Sequence, residues 1–153
     1  MSYTLDSNIL INMERLYPRD IFPTLWASIE GLVSQGEACI CEAVLRELER
    51  GDDDLHTWAK NLHGFLCATH QDEVLTVAAI TQAHPEWVSG TQNDADPWVI
   101  AHGLQEQRVV VTEENLKGPN TPDRNQRIPN VALEHGVATM KFFGFVKAQG
   151  WSF

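Results

Sequence analysis

Four carboxylates in this sequence sit where a folded chain could bring them together. They are Asp6 in Tyr3-Thr4-Leu5-Asp6-Ser7-Asn8, Glu47 in Val44-Leu45-Arg46-Glu47-Leu48, Asp96 in Asp96-Pro97-Trp98-Val99-Ile100-Ala101, and Glu114 in Val110-Val111-Thr112-Glu113-Glu114. Crowded carboxylates repel one another unless cations sit among them, and hard oxygen donors of this kind suit Mg²⁺ or Mn²⁺. An ion held that way activates water and neutralises the charge that develops on a phosphodiester. Each acid also has an ordinary structural reading. Asp6 with Ser7 and Asn8, and Asp96 before a proline, are residue types that begin helices; Glu47 suits a surface helix and Glu114 a loop. Convergence separates the two readings, and convergence depends on the elements that carry the acids.

The opening stretch reads as a short buried strand that ends at Asp6. Ile9, Leu10, Met13 and Leu16 then follow at helical spacing up to Tyr17-Pro18, where the proline stops the helix. A second helix is expected from about Ile21-Phe22-Pro23 to Ser34, with Leu25, Trp26, Ile29, Leu32 and Val33 along one side; its large apolar residues suit a core or an interface equally. Glu37–Cys41 reads as a second strand and 42–50 as a third helix closed by Gly51. Within that helix Glu47 borders the buried stripe of Val44, Leu45 and Leu48. Asp52-Asp53-Asp54 favours the start of another helix, which the macrodipole stabilises, with Leu55, Trp58, Ala59, Leu62 and Leu66 as its apolar side. Further helices are expected at Gln71–His84 and from Asp96-Pro97 to about Leu104. The clearest strand is Arg108–Thr112. The segment 115–130 has no apolar period and reads as a loop, followed by a short helix at 130–135, a strand at 138–141 and a last helix at 142–148. His56, His63 and His70 lie seven residues apart, too far for one metal ion, and read as surface residues.

Strands that alternate with helices describe an α/β protein around a parallel sheet of four to five short strands. Right-handed crossovers place the carboxyl ends of those strands on one edge, where ligands gather in open α/β sheets. Asp6 and Glu114 follow two of the strands, while Glu47 and Asp96 lie on helices that adjoin the sheet.

The bulk properties narrow the class. One domain over residues 1–153 fits the length, and 43% apolar and 21% charged residues are ordinary globular values. The apolar runs are too short to span a bilayer, and Met-Ser-Tyr-Thr lacks the basic and apolar regions of a signal peptide, so a cytoplasmic protein without membrane contact is expected. Three cysteines agree with that compartment. Cys39 and Cys41 share one face of a strand and read as reduced core thiols, with no second cysteine pair to complete a zinc site. The net charge of −10, from 21 acids and 11 bases, opposes nucleic-acid binding unless cations or a local basic patch reverse the field. Lys117, Arg124 and Arg127 supply such a patch just after Glu114, and they are expected to contact RNA phosphates if the site acts on RNA.

In their order, these four motifs resemble those of the PIN-domain family of metal-dependent ribonucleases and, more loosely, of its toxin members called VapC. Leu5-Asp6-Ser7-Asn8 is similar to the family's opening motif, Val44–Leu48 to its helical Glu-Leu motif, Asp96–Ala101 to its Asp-x-x-Ile-Ala motif, and Val110–Glu114 to its strand-then-Thr-x-Asp motif. The last departs from the family in having Glu for Asp, which leaves either Glu114 or Glu113 for the fourth acidic place. The resemblance implies a three-layer fold with helices on both faces of the sheet, and hydrolysis of RNA that leaves a 5′-phosphate and a 3′-hydroxyl. It implies Mg²⁺ or Mn²⁺ held by Asp6, Glu47, Asp96 and Glu114, with Ser7, Asn8 and Thr112 supporting these acids. An antitoxin partner and a homodimer follow from the toxin members. The alternative is a PIN-like module that binds a protein partner without catalysis. A phosphatase of the haloacid-dehalogenase type would need a second Asp two residues after Asp6, where the sequence has Asn8.

Overall fold

A parallel sheet forms because each of its five short strands is followed by helices that carry the chain back before the next strand begins. The structure, a computed structural model, describes residues 1–153. In chain order the elements are β1 (Tyr3–Leu5), α1 (Ser7–Leu16), α2 (Pro23–Ser34), β2 (Ala38–Cys41), α3 (Glu42–Gly51), α4 (Asp53–Asn61) and β3 (Leu66–Cys67). They continue with α5 (Gln71–Ala83), α6 (Asp96–Gln105), β4 (Val109–Val111), a 3₁₀ turn at Asp123–Asn125, α7 (Ile128–Glu134), β5 (Thr139–Met140) and α8 (Phe142–Ala148). The strand order is β3-β2-β1-β4-β5, with every pair parallel. This is the three-layer, PIN-like α/β architecture that the motifs lead one to expect.

The order of the strands matters for function. The chain winds outward from β1 through β2 to β3, then returns to the other side of β1 to add β4 and β5. The winding direction therefore reverses between β1 and β4, and right-handed crossovers put the helices of the two halves on opposite faces. The packing agrees: α1 meets α3 and α4, while α6 meets α5, α7, β1, β2 and β4. Helices that leave from opposite faces at a reversal open a crevice at the strand ends, which is where α/β folds bind ligands.

The sheet is buried on both sides, as apolar runs such as Val109-Val110-Val111 require. Leu5, Ile40, Val110 and Val111 are fully enclosed. Leu25 and Trp26 lie in the core, and Trp26 meets Trp58 edge to face at 5.0 Å, so these residues pack inside the fold. Helix α6 approaches the sheet through Gly103. A Cβ there would lie 2.9 Å from Val110 Cγ2 and 3.2 Å from the Arg108 carbonyl oxygen, closer than side chains tolerate.

The largest difference from the sequence reading is β3. Leu66 continues a helical apolar spacing, yet α4 stops at Asn61 and Leu66 is 40% exposed in an edge strand. The helix ends where Leu62 takes an extended backbone; Gly64, at φ +81°, then turns the chain through the left-handed region, and Phe65 takes the buried place instead. Smaller differences have similar local causes. Gly51 remains within α3, because Asp52 ends that helix and begins α4 by accepting a hydrogen bond from Leu55 N at 2.9 Å. The helix expected at 130–135 starts two residues earlier, with Pro129 in its first turn. His56, His63 and His70 fall on α4, a turn and the start of α5, which is the scattered arrangement expected of them. No helix is long and apolar enough to cross a membrane.

Candidate metal centre

Asp6 lies just beyond the carboxyl end of β1, beside the reversal between β1 and β4. It is buried, and as the N-cap of α1 its Oδ1 accepts a hydrogen bond from Ser7 N at 2.8 Å. The capping reading is thus correct, but it accounts for only one oxygen. Oδ2 accepts from the Thr112 hydroxyl at 2.9 Å, across the neighbouring strand end. Asn8 ties the same two strand ends together: its Nδ2 donates to Thr112 Oγ1 at 3.3 Å, and its Oδ1 accepts from Glu113 N at 3.3 Å.

Glu47 and Asp96 arrive from opposite faces of the sheet. α3 carries Glu47 beside its buried stripe, and α6 begins with Asp96 and Pro97 after Ala95. Carboxylate oxygens of Asp6, Glu47 and Asp96 all lie within 4.8 Å of one another. One buried oxygen, Glu47 Oε1, has no hydrogen-bond partner. Arg50 and Asp94 form a two-pronged ion pair at 3.1 Å that joins the end of α3 to the loop before α6. No local pattern connects two residues 44 positions apart, so this brace between the Glu47 and Asp96 segments could not be read from the sequence.

Proximity has a measurable electrostatic consequence. Burial, partly offset by the Thr112 hydrogen bond and reinforced by Glu114, pushes Asp6 up to about 6. Burial and then the charges of Asp6 and Asp94 push Glu47 up to about 7, against a hydrogen bond from the Ser7 side chain. Asp96 is held well above the usual carboxylate range by burial and by Asp6, Glu114 and Glu47. These groups resist ionising together, and a cation among them removes that resistance.

Glu113 and Glu114, the two candidates for the fourth acidic place, both lie outside the group of three and have different surroundings. Glu113 turns toward the start of α8, where its Oε1 accepts from Phe142 N at 2.7 Å. Glu114 instead adds to the repulsion felt by Asp6 and Asp96, and its own carboxyl is raised by burial, against a hydrogen bond from Ile128 N and the charge of Arg127. Of the three basic loop residues, Arg127 is close enough to lower both Asp96 and Glu114. Arg124 lines a separate polar cleft with Glu86 and Gln92, and Lys117 is exposed, its backbone N–H held by Asn130. The loop that carries them is fastened by Asp123, which accepts from Glu86 N and faces His84 Nδ1 at 2.6 Å.

The donor set fits a hard divalent cation. Three carboxylates converge from three segments, Arg50 and Arg127 offset their charge only in part, and a buried Glu47 oxygen lacks a partner.

Comparison with known proteins bears on the fold. The sequence profile of a family described as a domain of unknown function, DUF4411, matches residues 3–153. No curated protein matches the sequence. Among solved structures, the chain is similar to a chain of VapBC2 from Rickettsia felis, determined bound to a DNA fragment from their promoter. The TM-score is 0.56 at 15% identity, with 93% of this chain and 99% of that chain covered. Similarity at that identity is one of fold, and it agrees with the PIN-like architecture.

Proposed function

The chain belongs to the DUF4411 family, whose description names no activity, and we propose that it is a divalent-metal-dependent ribonuclease acting as the toxin of a toxin–antitoxin pair. The observation that carries this reading is the convergence of Asp6, Glu47 and Asp96 at the sheet reversal, with one buried Glu47 oxygen left without a partner. Those three acids would hold Mg²⁺ or Mn²⁺, and Glu114 would complete the shell. The bound ion would supply an activated water and a Lewis acid for hydrolysis of RNA to a 5′-phosphate and a 3′-hydroxyl.

The protein's own groups prepare that corner. Ser7 N and the Thr112 hydroxyl fix both oxygens of Asp6, and Asn8 holds Thr112 in turn, so the carboxylate needs little reordering when an ion arrives. Arg127 offers positive charge beside the acids for a phosphate of the incoming strand, and exposed Lys117 extends this basic rim along the loop, whereas Arg124 lines a cleft of its own. The rim answers the repulsion expected from a net charge of −10.

Resemblance to VapC toxins and fold similarity to a chain of VapBC2 support an antitoxin partner, and a homodimer is proposed from the resemblance alone. An apolar cleft beside the site, lined by Met13, Leu16, Phe142 and Phe143, offers a partner somewhere to dock. The reading is tested by calorimetric titration of Mn²⁺ together with cleavage of single-stranded RNA. The expected result is metal binding and metal-dependent cleavage, both lost in Asp96→Asn. A folded protein that binds no metal and cleaves no RNA contradicts the proposal and favours the non-catalytic binding module.

A further inference from the structure

We propose that Cys39, Cys67 and His102 form a second metal site, of the zinc-binding type, whose histidine is oriented by Glu73 and which is separate from the acidic corner. The sequence offers no cysteine pair for zinc, but the fold builds a ligand set from three distant segments. Cys39 comes from β2, Cys67 from the short edge strand β3 and His102 from α6. The two sulfurs and an imidazole nitrogen lie within 4.8 Å of one another, and Cys39 Sγ is 3.1 Å from His102 Nε2. Tetrahedral zinc, at about 2.3 Å from sulfur and about 2.0–2.1 Å from nitrogen, requires a spacing of roughly 3.5–4 Å between such donors. A shift of a few tenths of an ångström in the Cys39–His102 contact meets that requirement.

The imidazole is already presented as a ligand. His102 Nδ1 lies 2.7 Å from Glu73 Oε1, and both side chains are buried. A proton on Nδ1 satisfies the carboxylate and leaves the Nε2 lone pair toward the sulfurs, which is the carboxylate–histidine–metal arrangement of zinc proteins. Glu73 is itself anchored, since its Oε2 accepts from His70 N at the start of α5.

An independent observation points the same way. Thr4 pairs in register with Cys39 across the β1–β2 ladder, and its fully buried hydroxyl has no hydrogen-bond partner. Such a hydroxyl is accounted for if Cys39 is a metal-bound thiolate able to accept from it.

Ligand chemistry makes this site distinct from the first. Two thiolates and an imidazole select zinc over magnesium, whereas the carboxylates of the acidic corner select the reverse. Cys67 is only partly buried, which leaves a route for the ion and a fourth position for water. A bound ion would cross-link the two-residue strand β3 to β2 and to α6, the helix that begins with Asp96.

The test is titration of the reduced, full-length protein with Co²⁺, followed by displacement with Zn²⁺. One equivalent should produce thiolate-to-cobalt charge-transfer absorption, Zn²⁺ should abolish it, and Zn²⁺ should raise the thermal unfolding midpoint. Cys67→Ser, at a half-exposed position, should lose the absorption. Glu73→Gln should retain it with affinity about 10–100-fold weaker. Asp6→Asn should leave it unchanged, so this result stands apart from the nuclease reading. Absence of thiolate absorption in the reduced wild type, its persistence in Cys67→Ser, or a Cys39–Cys67 disulfide that forms in place of metal binding would overturn the proposal.

Discussion

The acidic corner and the sulfur cluster are two polar sites that share one helix, and the fold treats them differently. α6 begins at Asp96, in a corner where buried carboxylates crowd and resist ionising together. One turn and a half later it presents His102, which is satisfied on one side by Glu73 and faces two sulfurs on the other. Burial alone would lower His102, but hydrogen bonds with Cys67 and Glu73 more than offset it and hold the imidazole above its ordinary range. In the first region like charges need an added ion. In the second, donors and acceptors are partly matched already, so an ion would replace protons. Unsatisfied buried polarity marks both regions, at Glu47 and at Thr4, and occurs also at Arg108 and Gln149.

The comparison breaks most sharply if the acidic corner is altered while the sulfur cluster is left alone. Asp96→Asn should reduce metal-dependent RNA cleavage by about 10²–10³-fold, the several kcal/mol that a bound ion contributes to the transition state. Cys67→Ser should stay close to wild type in the same assay when Mg²⁺ or Mn²⁺ is saturating. Equal losses in both variants would show that the two regions act as one.

Stability gives the next effect, and its sign follows from the raised carboxyls. Asp6 titrates near 6 in the folded protein and near 3.8 in an unfolded chain, so the unfolded chain ionises first as pH rises. Its cost to the metal-free fold begins above about pH 4 and is complete above about pH 6–7. Asp6→Asn should therefore stabilise the metal-free protein by about 1–3 kcal/mol at pH 8 and by little below pH 4, as read by denaturant unfolding. Stabilisation that does not vary with pH would remove the electrostatic account of the corner.

A comparable loss is expected where α6 carries both sites onto the sheet. Gly103→Ala should cost about 1–3 kcal/mol, because the added methyl meets Val110 and Arg108 backbone, and it should perturb both regions together. The smallest effect belongs to His84, which stands between Asp123 and Glu134 at 2.6 and 2.7 Å and fastens the basic loop. Burial alone would lower it, but hydrogen bonds with Glu134 and Asp123 raise it above 6.5. The stability it contributes is therefore fully present below about pH 6.5 and is lost as pH rises through the folded value. His84→Gln should cost at most about 1 kcal/mol at pH 5.5 and almost nothing at pH 9, by thermal melting.

Legibility in the sequence differed between the two regions for a physical reason. Asp6, Glu47, Asp96 and Glu114 each sit at an element boundary or stripe edge that apolar periodicity reveals together with the parallel sheet, while their selection from the other acids rested on the resemblance of their motifs to the PIN-domain family. The sulfur cluster depends on β3, which Leu66 disguised as helix, and on a pairing of strands that brings Cys67 to Cys39. The Glu73–His102 contact joins two helices that are 29 residues apart and have no shared motif. The choice between Glu113 and Glu114 likewise depended on α8, whose first N–H turns Glu113 away from the corner. Local pattern carries what lies on one element, while contacts between elements need the fold.

The central claim, that the acidic corner holds a divalent ion for RNA hydrolysis, is tested most directly by the chemistry of the product ends. Single-stranded RNA incubated with purified protein and Mg²⁺ or Mn²⁺ should yield fragments with 5′-phosphate and 3′-hydroxyl ends. Chelation should stop the reaction, and Asp6→Asn should abolish it while remaining folded. Cleavage that survives chelation, that leaves a 2′,3′-cyclic phosphate, or that persists in folded Asp6→Asn would contradict the account.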